Sequence, residues 1–312
     1  MSKRLVVALS GGVGGAKLAL GLSLVLPADE LLVVANTGDD FEHLGLSISP
    51  DIDTLTYVLA GIDNPATGWG RRDETWSFMD SIGALGGEDW FRLGDRDLAL
   101  HVERTRRLRL GQTLSEVTSD ICRRLGIGAR VVPMSDDRVR VDAGWIDFQD
   151  YFVRQQCRPV VHELAFDGVT LARPHADIPA ALRSGDVRAV IVCPSNPFIS
   201  VEPILAIPGM RDAIKASGAP VVAVSPIIGG RAVKGPTAKM MRELGLEASA
   251  AAVAARYGDL LDGYVVDHAD ADAVGNVRAR VTIAKTLMTS LDDRKTLARV
   301  ALDAADSLAT RR

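Results

Sequence analysis

Residues 5 to 17 read LVVALSGGVGGAK, and the meaning of this stretch decides the fold. Leu5 to Leu9 form an apolar, partly β-branched run of strand length, and glycines at 11, 12, 14 and 15 lead into helical spacing from Ala16 onward. A buried strand that turns through glycines into a helix is the opening unit of a parallel α/β sheet. Glycines at such a turn let backbone N–H groups approach an anion at the positive helix end. The stretch completes neither familiar phosphate motif. Gly12-x-Gly14 begins a dinucleotide fingerprint, but Lys17 stands where its third glycine belongs, and a Walker A loop needs Ser or Thr where Leu18 follows the lysine. Gly11, Gly12, Gly14 and Gly15 are therefore candidate phosphate-binding positions with Lys17 as an added point charge, and a tight turn without ligand is the competing reading.

Further runs of the same kind follow: LLVVANT, ARVVPMS, AVIVCPS, PVVAVS and GYVVDH, with helically spaced apolar stretches between many of them. The pattern predicts a mostly parallel sheet covered on both faces. Each run ends in small or polar residues, such as NTGDD, PSNP and SPIIGG, and ligands in open α/β sheets bind beyond the carboxyl ends of the strands. Residues 54–127 show no strand pattern and read as a helical insertion capping one sheet edge, whereas VRVDAGWIDFQDYFV alternates like a small β-hairpin extension. Without a repeat or long linker, residues 1–312 read as one elaborated α/β domain.

A hydrophobic content of 47% supplies a substantial core, and a net charge of −4 with 24% charged residues gives no global basic field for nucleic acid or an anionic membrane. Small molecules are the expected partners. Lys3 and Arg4 precede an apolar run, yet SGGVGG breaks it too early for an export signal, and no apolar segment reaches the ~18 residues of a membrane span. Cys122, Cys157 and Cys193 lack CxxC spacing, which fits a reducing cytoplasm.

Asp39, Asp40, Asp51 and Asp53 cluster near one predicted strand end in NTGDD and SPDIDT. Magnesium commonly takes one or two such carboxylates with phosphate oxygens and water, while helix capping by Asp51 or Asp53 is an equal alternative. WFRLGDRDLALH gathers Arg92, Asp95, Arg96, Asp97 and His101 around one glycine turn. An arginine there suits a phosphate, an ion-paired helix start is equally compatible, and His101 reads as packed or hydrogen-bonded. The adjoining ERTRRLRL run reads as a solvated helix face. Ser195 and Asn196, then Ser225, Gly229, Gly230 and Lys234, are candidate polar lips around a nucleotide, with unliganded proline turns as the alternative.

In this order, SGGVGGAK, NTGDD, SPDIDT, GWGRRDETW, WFRLGDRDLALH, PMSDD, IDFQDYFV, PSNPFISVEPIL, PGMR and SPIIGG closely resemble the 2-phospho-L-lactate transferase family of coenzyme F420 biosynthesis, over essentially the whole chain. The resemblance implies a Rossmann-like core and a magnesium-dependent transfer from a guanylyl diphosphate donor to the deazaflavin Fo, releasing GMP. The transferred group is of the phospholactyl, phosphoenolpyruvyl or phosphoglyceryl type. It further implies a homodimer and places the Fo-binding and catalytic positions at Asp53 and Arg92. Asp147 replaces a histidine common in the family's version of IDFQD. A non-catalytic nucleotide-sugar-binding regulator of the same fold is the alternative, and GWGRRDETW with WFRLGDRD favours the transferase.

Overall fold

A computed structural model describes residues 4–144 and 146–310; Lys3 and Trp145, which entered the reading of the amino terminus and of the hairpin, lie outside them. β1 (Leu5–Ser10) runs through Gly11 into α1 (Gly12–Val25), and β2 (Leu31–Ala35) follows alongside. Four helices come next: α2 (Pro50–Leu59), α3 (Ser77–Ala84), α4 (Asp95–Arg109) and α5 (Leu114–Arg124). The remaining strands of the central sheet are β3 (Arg130–Pro133), β4 (Val187–Val192), β5 (Val221–Val224), β6 (Gly263–Val266) and β7 (Arg280–Ile283). Their spatial order is 7-6-5-4-1-2-3, and every neighbouring pair is parallel. This is the doubly wound, Rossmann-like order with one strand added at the edge. The chain reverses direction across the sheet between β1 and β4.

Side chains alternate across a strand, so each inner strand feeds two cores. Val7, Leu9, Leu32 and Val34 face one layer, completed by a three-stranded antiparallel sheet and short helices such as Met210–Ala216. Val6, Ala8, Leu31 and Val33 face the other, built from α1, α2, α5 and the C-terminal helix Leu291–Ala309. The antiparallel sheet pairs Arg140–Ala143 centrally with Ile146–Asp147, the hairpin that the alternation predicted, and with Leu164–Asp167; the DYFV end of that pattern is helical instead, over Asp150–Arg154.

The segment expected as a cap from residue 54 divides between two roles. Ile52, Leu55 and Val58 of α2, with Cys122 of α5, belong to the sheet's own helical layer. The boundary at 54 therefore cuts through α2, whose apolar face is already committed to the core at Ile52. A separate small core of Phe41, Ile48, Met79 and Leu93 joins α3 and its flanking loop to the antiparallel hairpin 41–48. Two mutual caps fix this unit. The Glu74 carboxylate accepts the Arg96 and Asp97 amides at 2.7 and 2.9 Å, closing the start of α4. Asp95 in turn accepts the Ser77 and Phe78 amides at 3.2 and 3.1 Å and closes the start of α3. The GWGRRDETW and RLGDRD segments are thus locked together by their acidic residues.

Candidate active site

The carboxyl ends of β1 and β4 border a cleft of about 640 Å³, which is the size range of a cofactor-scale pocket. Gly11, Gly12, Val13, Gly14 and Lys17 line one side of it. Close packing, more than freedom at the turn, accounts for most of the glycines. A Cβ on Gly14 would fall well inside 3.0 Å of the Pro194 carbonyl oxygen, and one on Gly15 would lie 2.7 Å from the Ser10 hydroxyl. Only Gly12 has a left-handed backbone, with φ +64°, and a side chain there would meet open space.

The first donors of α1 are already engaged. The Gly11 amide donates to Ser195 Oγ at 3.1 Å, and the Gly12 amide to Asp51 Oδ1 at 2.6 Å. Of the four first-turn amides without an intrahelical acceptor, Val13 and Gly14 remain, and both residues line the cleft. Lys17 Nζ donates to the Met288 carbonyl at 3.1 Å. Burial, then Arg294 and Lys234, lowers its pKa, which marks a gathering of positive charge beside the loop.

The four aspartates do not form one cluster. Asp39 and Asp51 are buried and share the Asn36 side-chain amide, at 3.0 and 2.9 Å. Burial, followed by the neighbouring Asp51 and Asp40 carboxylates, raises Asp39 well above the usual carboxylate range. Burial raises Asp51 to about 6 against the hydrogen bonds from Asn36 and Gly12. Asp40 does not line the cleft; one oxygen accepts Ser49 Oγ at 2.7 Å and the other is buried without a partner. Asp53 lines the cleft but accepts the Arg104 guanidinium on both oxygens. Among the described residues, no three His, Cys, Asp or Glu side chains are arranged to hold a metal ion by themselves.

Arg104 corrects the expectation for ERTRRLRL. It is 1% exposed and Arg107 is also buried, so the run is only half solvated. Asp97, His101 and Arg104 repeat at four- and three-residue spacing, which places them on one face of α4 against Asp53. His101 lies 3.6 Å from Asp53 and 3.2 Å from Asp97, and Tyr57 donates its hydroxyl to Asp97. Burial disfavours the charged form of Asp97, but His101 and the Tyr57 hydroxyl outweigh it and hold this carboxyl below its usual range. His101 is therefore the packed, hydrogen-bonded histidine expected from the sequence.

Arg92 lines the same cleft on the loop ahead of α4, lies over the Trp76 ring at 4.6 Å and faces Asp80 at 3.5 Å. Ser195, Asn196 and Ser225 also border the cleft; Ser195 Oγ accepts the Gly11 amide, while the Asn196 and Ser225 side chains hold local turns. Asn196 Oδ1 accepts the Phe198 amide at 2.9 Å, and Ser225 Oγ accepts the Ile227 amide at 3.2 Å. Gly15 and Gly229 lie outside the lining: Gly15 is wedged against Ser10 and Ser195, and the Gly229 amide donates to Asp270 at 2.9 Å. Lys234 reaches across to the Thr67 carbonyl at 2.7 Å. The aromatic part of the cleft, with Tyr57, Trp69, Phe91, Phe148 and Phe152, was not singled out from the sequence. Phe148 and Phe152 stack at 5.6 Å, and their four-residue spacing was the available signal.

The model of the family described as 2-phospho-L-lactate transferase CofD matches residues 6–304. A phosphoenolpyruvate transferase of Kitasatospora aureofaciens is 42% identical, with 97% of this chain and 98% of that protein covered. One from Mycolicibacterium smegmatis is 38% identical over 96% of this chain and 98% of its own length. A solved Bacillus halodurans protein of the upf0052 family shares the fold, with a TM-score of 0.60, 15% identity, and 97% and 99% of the two chains covered. Among the described residues no helix is long and apolar enough to cross a membrane. With a family match from residue 6 to 304 and curated relatives near 40% identity end to end, the chain belongs to the 2-phospho-L-lactate transferase CofD family and is a transferase.

Proposed function

We propose that this enzyme transfers a phosphorylated three-carbon acid unit from a guanylyl diphosphate donor to a hydroxyl of the deazaflavin Fo, releasing GMP, in coenzyme F420 biosynthesis. One observation carries the reading: a cleft at the switch point is lined both by the helix-start residues Val13 and Gly14 with Lys17 and Lys234, and by Asp53, Arg92 and aromatic rings. The first set suits a diphosphate, the second a planar heteroaromatic acceptor with a hydroxylated tail. The names of the curated relatives favour phosphoenolpyruvyl over phospholactyl or phosphoglyceryl as the transferred group.

In the reaction, a ribityl hydroxyl oxygen of Fo bonds to the phosphorus bearing the acid, and the bond from that phosphorus to the bridging oxygen breaks. The electron pair leaves with GMP, and the proton of the attacking hydroxyl is released to solvent water. Positioning and charge neutralisation supply most of the catalysis in such transfers, because the transition state is loose. Val13 and Gly14 amides with Lys17 receive the diphosphate. Asp53 accepts the hydrogen bond of the attacking hydroxyl and turns its oxygen toward phosphorus. Arg92, on a mobile-length side chain at the rim, screens the acidic donor or holds the acceptor.

The residues present fit magnesium. Asn36 Nδ2 has two hydrogens but faces three acceptors, on Asp39, Asp51 and Ile199, so the pocket holds more buried lone pairs than protein donors. Asp39 and Asp51 would hold the ion together with phosphate oxygens and water. When bound, it would neutralise charge on the leaving diphosphate. The test is to supply Fo with each of the three donors and magnesium and to follow GMP and product mass. Conversion with the phosphoenolpyruvyl donor is expected, and nucleotide binding without product from any donor would overturn the reading.

A further inference from the structure

We propose that Arg104 is a positioning residue of the transfer reaction, fixing the Asp53 carboxylate at the cleft wall from behind and acting through Asp53 without touching either substrate. The inference rests on the acceptor-side role of Asp53 given above.

Four observations carry it. Arg104 is 1% exposed and does not line the cleft, whereas Asp53 does. The guanidinium meets both Asp53 oxygens, one through Nη1 at 3.0 Å and the other through Nη2, in the two-pronged arrangement that only arginine offers. Nη1 also points to the Ser47 carbonyl and His101 Nδ1, each at 3.4 Å, while Nε is buried without a partner. The side chain therefore gives its strongest bonds to one carboxylate and leaves part of its own donor set unused. Lastly, the charged and titratable groups around it are Asp53 and Tyr57 from α2, Asp97 and His101 from α4, and Asp40 from the loop after β2. Asp40 contributes charge at a distance but no hydrogen bond.

A buried ion pair is weak support for stability, since desolvating two charges offsets most of their attraction and a well-packed apolar pair serves as well. What the fork does provide is direction. An ionised carboxylate has about four lone-pair positions, and two of Asp53's are taken from the α4 side. The fork fixes the direction of both oxygens, and because Asp53 lines the cleft, a hydroxyl that reaches it there meets an oxygen with one orientation. In a transfer that depends on alignment, an error of ~1 Å costs on the order of 10²-fold in rate.

The test compares Arg104→Lys, Arg104→Met, Asp53→Asn and the double variant Asp53→Asn/Arg104→Met, each assayed for melting temperature, GDP affinity, and kcat and KM for Fo. Arg104→Lys keeps the charge but loses the fork; kcat should fall roughly 10- to 100-fold with GDP affinity unchanged. Arg104→Met leaves Asp53 buried and unpaired, and its melting temperature should drop by roughly 5 °C. The double variant removes both charges and should recover that loss while turning over no faster than Asp53→Asn alone. In the Asp53→Asn background the Arg104 substitution should thus have no further effect on kcat. Arg104→Lys with wild-type kcat and KM, or losses from the two sites that multiply, would overturn the proposal. Failure of the functional reading looks different: the unaltered enzyme would then bind no GDP or convert no Fo.

Discussion

Gly14→Ala separates a phosphate cradle from a mere close-packed turn, provided it is read beside Gly21→Ala. A Cβ at either position would fall well inside 3.0 Å of a backbone carbonyl oxygen, that of Pro194 for Gly14 and that of Arg294 for Gly21. Neither carbonyl can rotate away, so the packed segments must part by on the order of 1 Å, an overpacking strain of about 1–3 kcal/mol. For a chain of 312 residues, an unfolding entropy of ~2.1 cal/mol/K per residue makes each kcal/mol worth ~1.5 °C. Both variants should therefore melt about 2–5 °C lower. They should differ in ligand binding. The Gly14 displacement moves the Val13 and Gly14 amides relative to the Pro194–Ser195 loop, and losing one charge-assisted bond of about 1.5–3 kcal/mol weakens GDP roughly 10- to 100-fold. Gly21 sits where α1 crosses the C-terminal helix, away from the cleft, so its variant should bind GDP as the parent does. Differential scanning fluorimetry and calorimetric GDP titration give both numbers. Equal GDP affinity in the two variants, with equal loss of melting temperature, would refute the cradle and leave the glycines as packing elements.

Three further outcomes are expected. Removing magnesium with a chelator should abolish turnover, and because the Asp51 carboxylate already sits on the Gly12 amide, GDP should bind roughly 10-fold weaker without the ion; calorimetry with and without magnesium checks this, and identical affinities would detach Asp51 from the nucleotide. Arg92→Ala should raise KM for Fo by roughly 10-fold and leave the melting temperature within about 1–2 °C, because its contact with Asp80 at 3.5 Å is a surface pair; steady-state kinetics and fluorimetry report the two effects. Glu74→Ala leaves two first-turn amides of α4 without their acceptor and should destabilise by about 1–2 kcal/mol, with faster proteolysis within residues 61–95 as the readout.

Six of the seven central strands were legible because their side chains are mostly buried on both faces, even in Arg130–Pro133 at one sheet edge, so each carries a run of apolar residues. The seventh, Arg280–Ile283, lies at the sheet edge with side chains half in solvent, so RVTI carries no continuous apolar signal. The glycine loop and the strand tails were readable for the same reason: the rule that ligands bind at strand carboxyl ends is a property of topology. Arg104 was hidden by the opposite circumstance. Patterns of burial are sought in apolar residues, and here the buried face of α4 is written in polar ones, Asp97, His101 and Arg104, embedded in a run whose composition looks solvated. The positional signal was present, since 97, 101 and 104 are helical neighbours, but only the partner on α2 shows that they face inward. The division among the aspartates was equally out of reach. Asp39 and Asp40 are adjacent in sequence and point to different environments, one to Asn36 at the cleft and one to Ser49 behind it.

Asp51 and Asp53 differ in their partners, and under the proposed function that difference accounts for acidic residues in a site for anionic substrates. At the start of α1, Asp51 occupies the Gly12 amide, the position that a phosphate would otherwise take first. A diphosphate approaching Val13 and Gly14 therefore meets a carboxylate at the edge of its own binding loop. Repulsion of that kind weakens binding unless a cation is shared between the two, and Lys17 cannot serve alone, because its ammonium is half-buried, bonded to the Met288 carbonyl and flanked by Arg294 and Lys234. Asp53, by contrast, is neutralised by Arg104 within the protein and needs no external charge. The two carboxylates stand two residues apart on one helix turn and yet have different partners, so each is suited to a different substrate. Under the proposed function, Asp51 would couple the donor to a metal ion, and Asp53 would offer the acceptor a fixed oxygen. An arrangement in which both faced the same unpaired environment would gather four acceptor oxygens around one cation and leave none held for an acceptor hydroxyl.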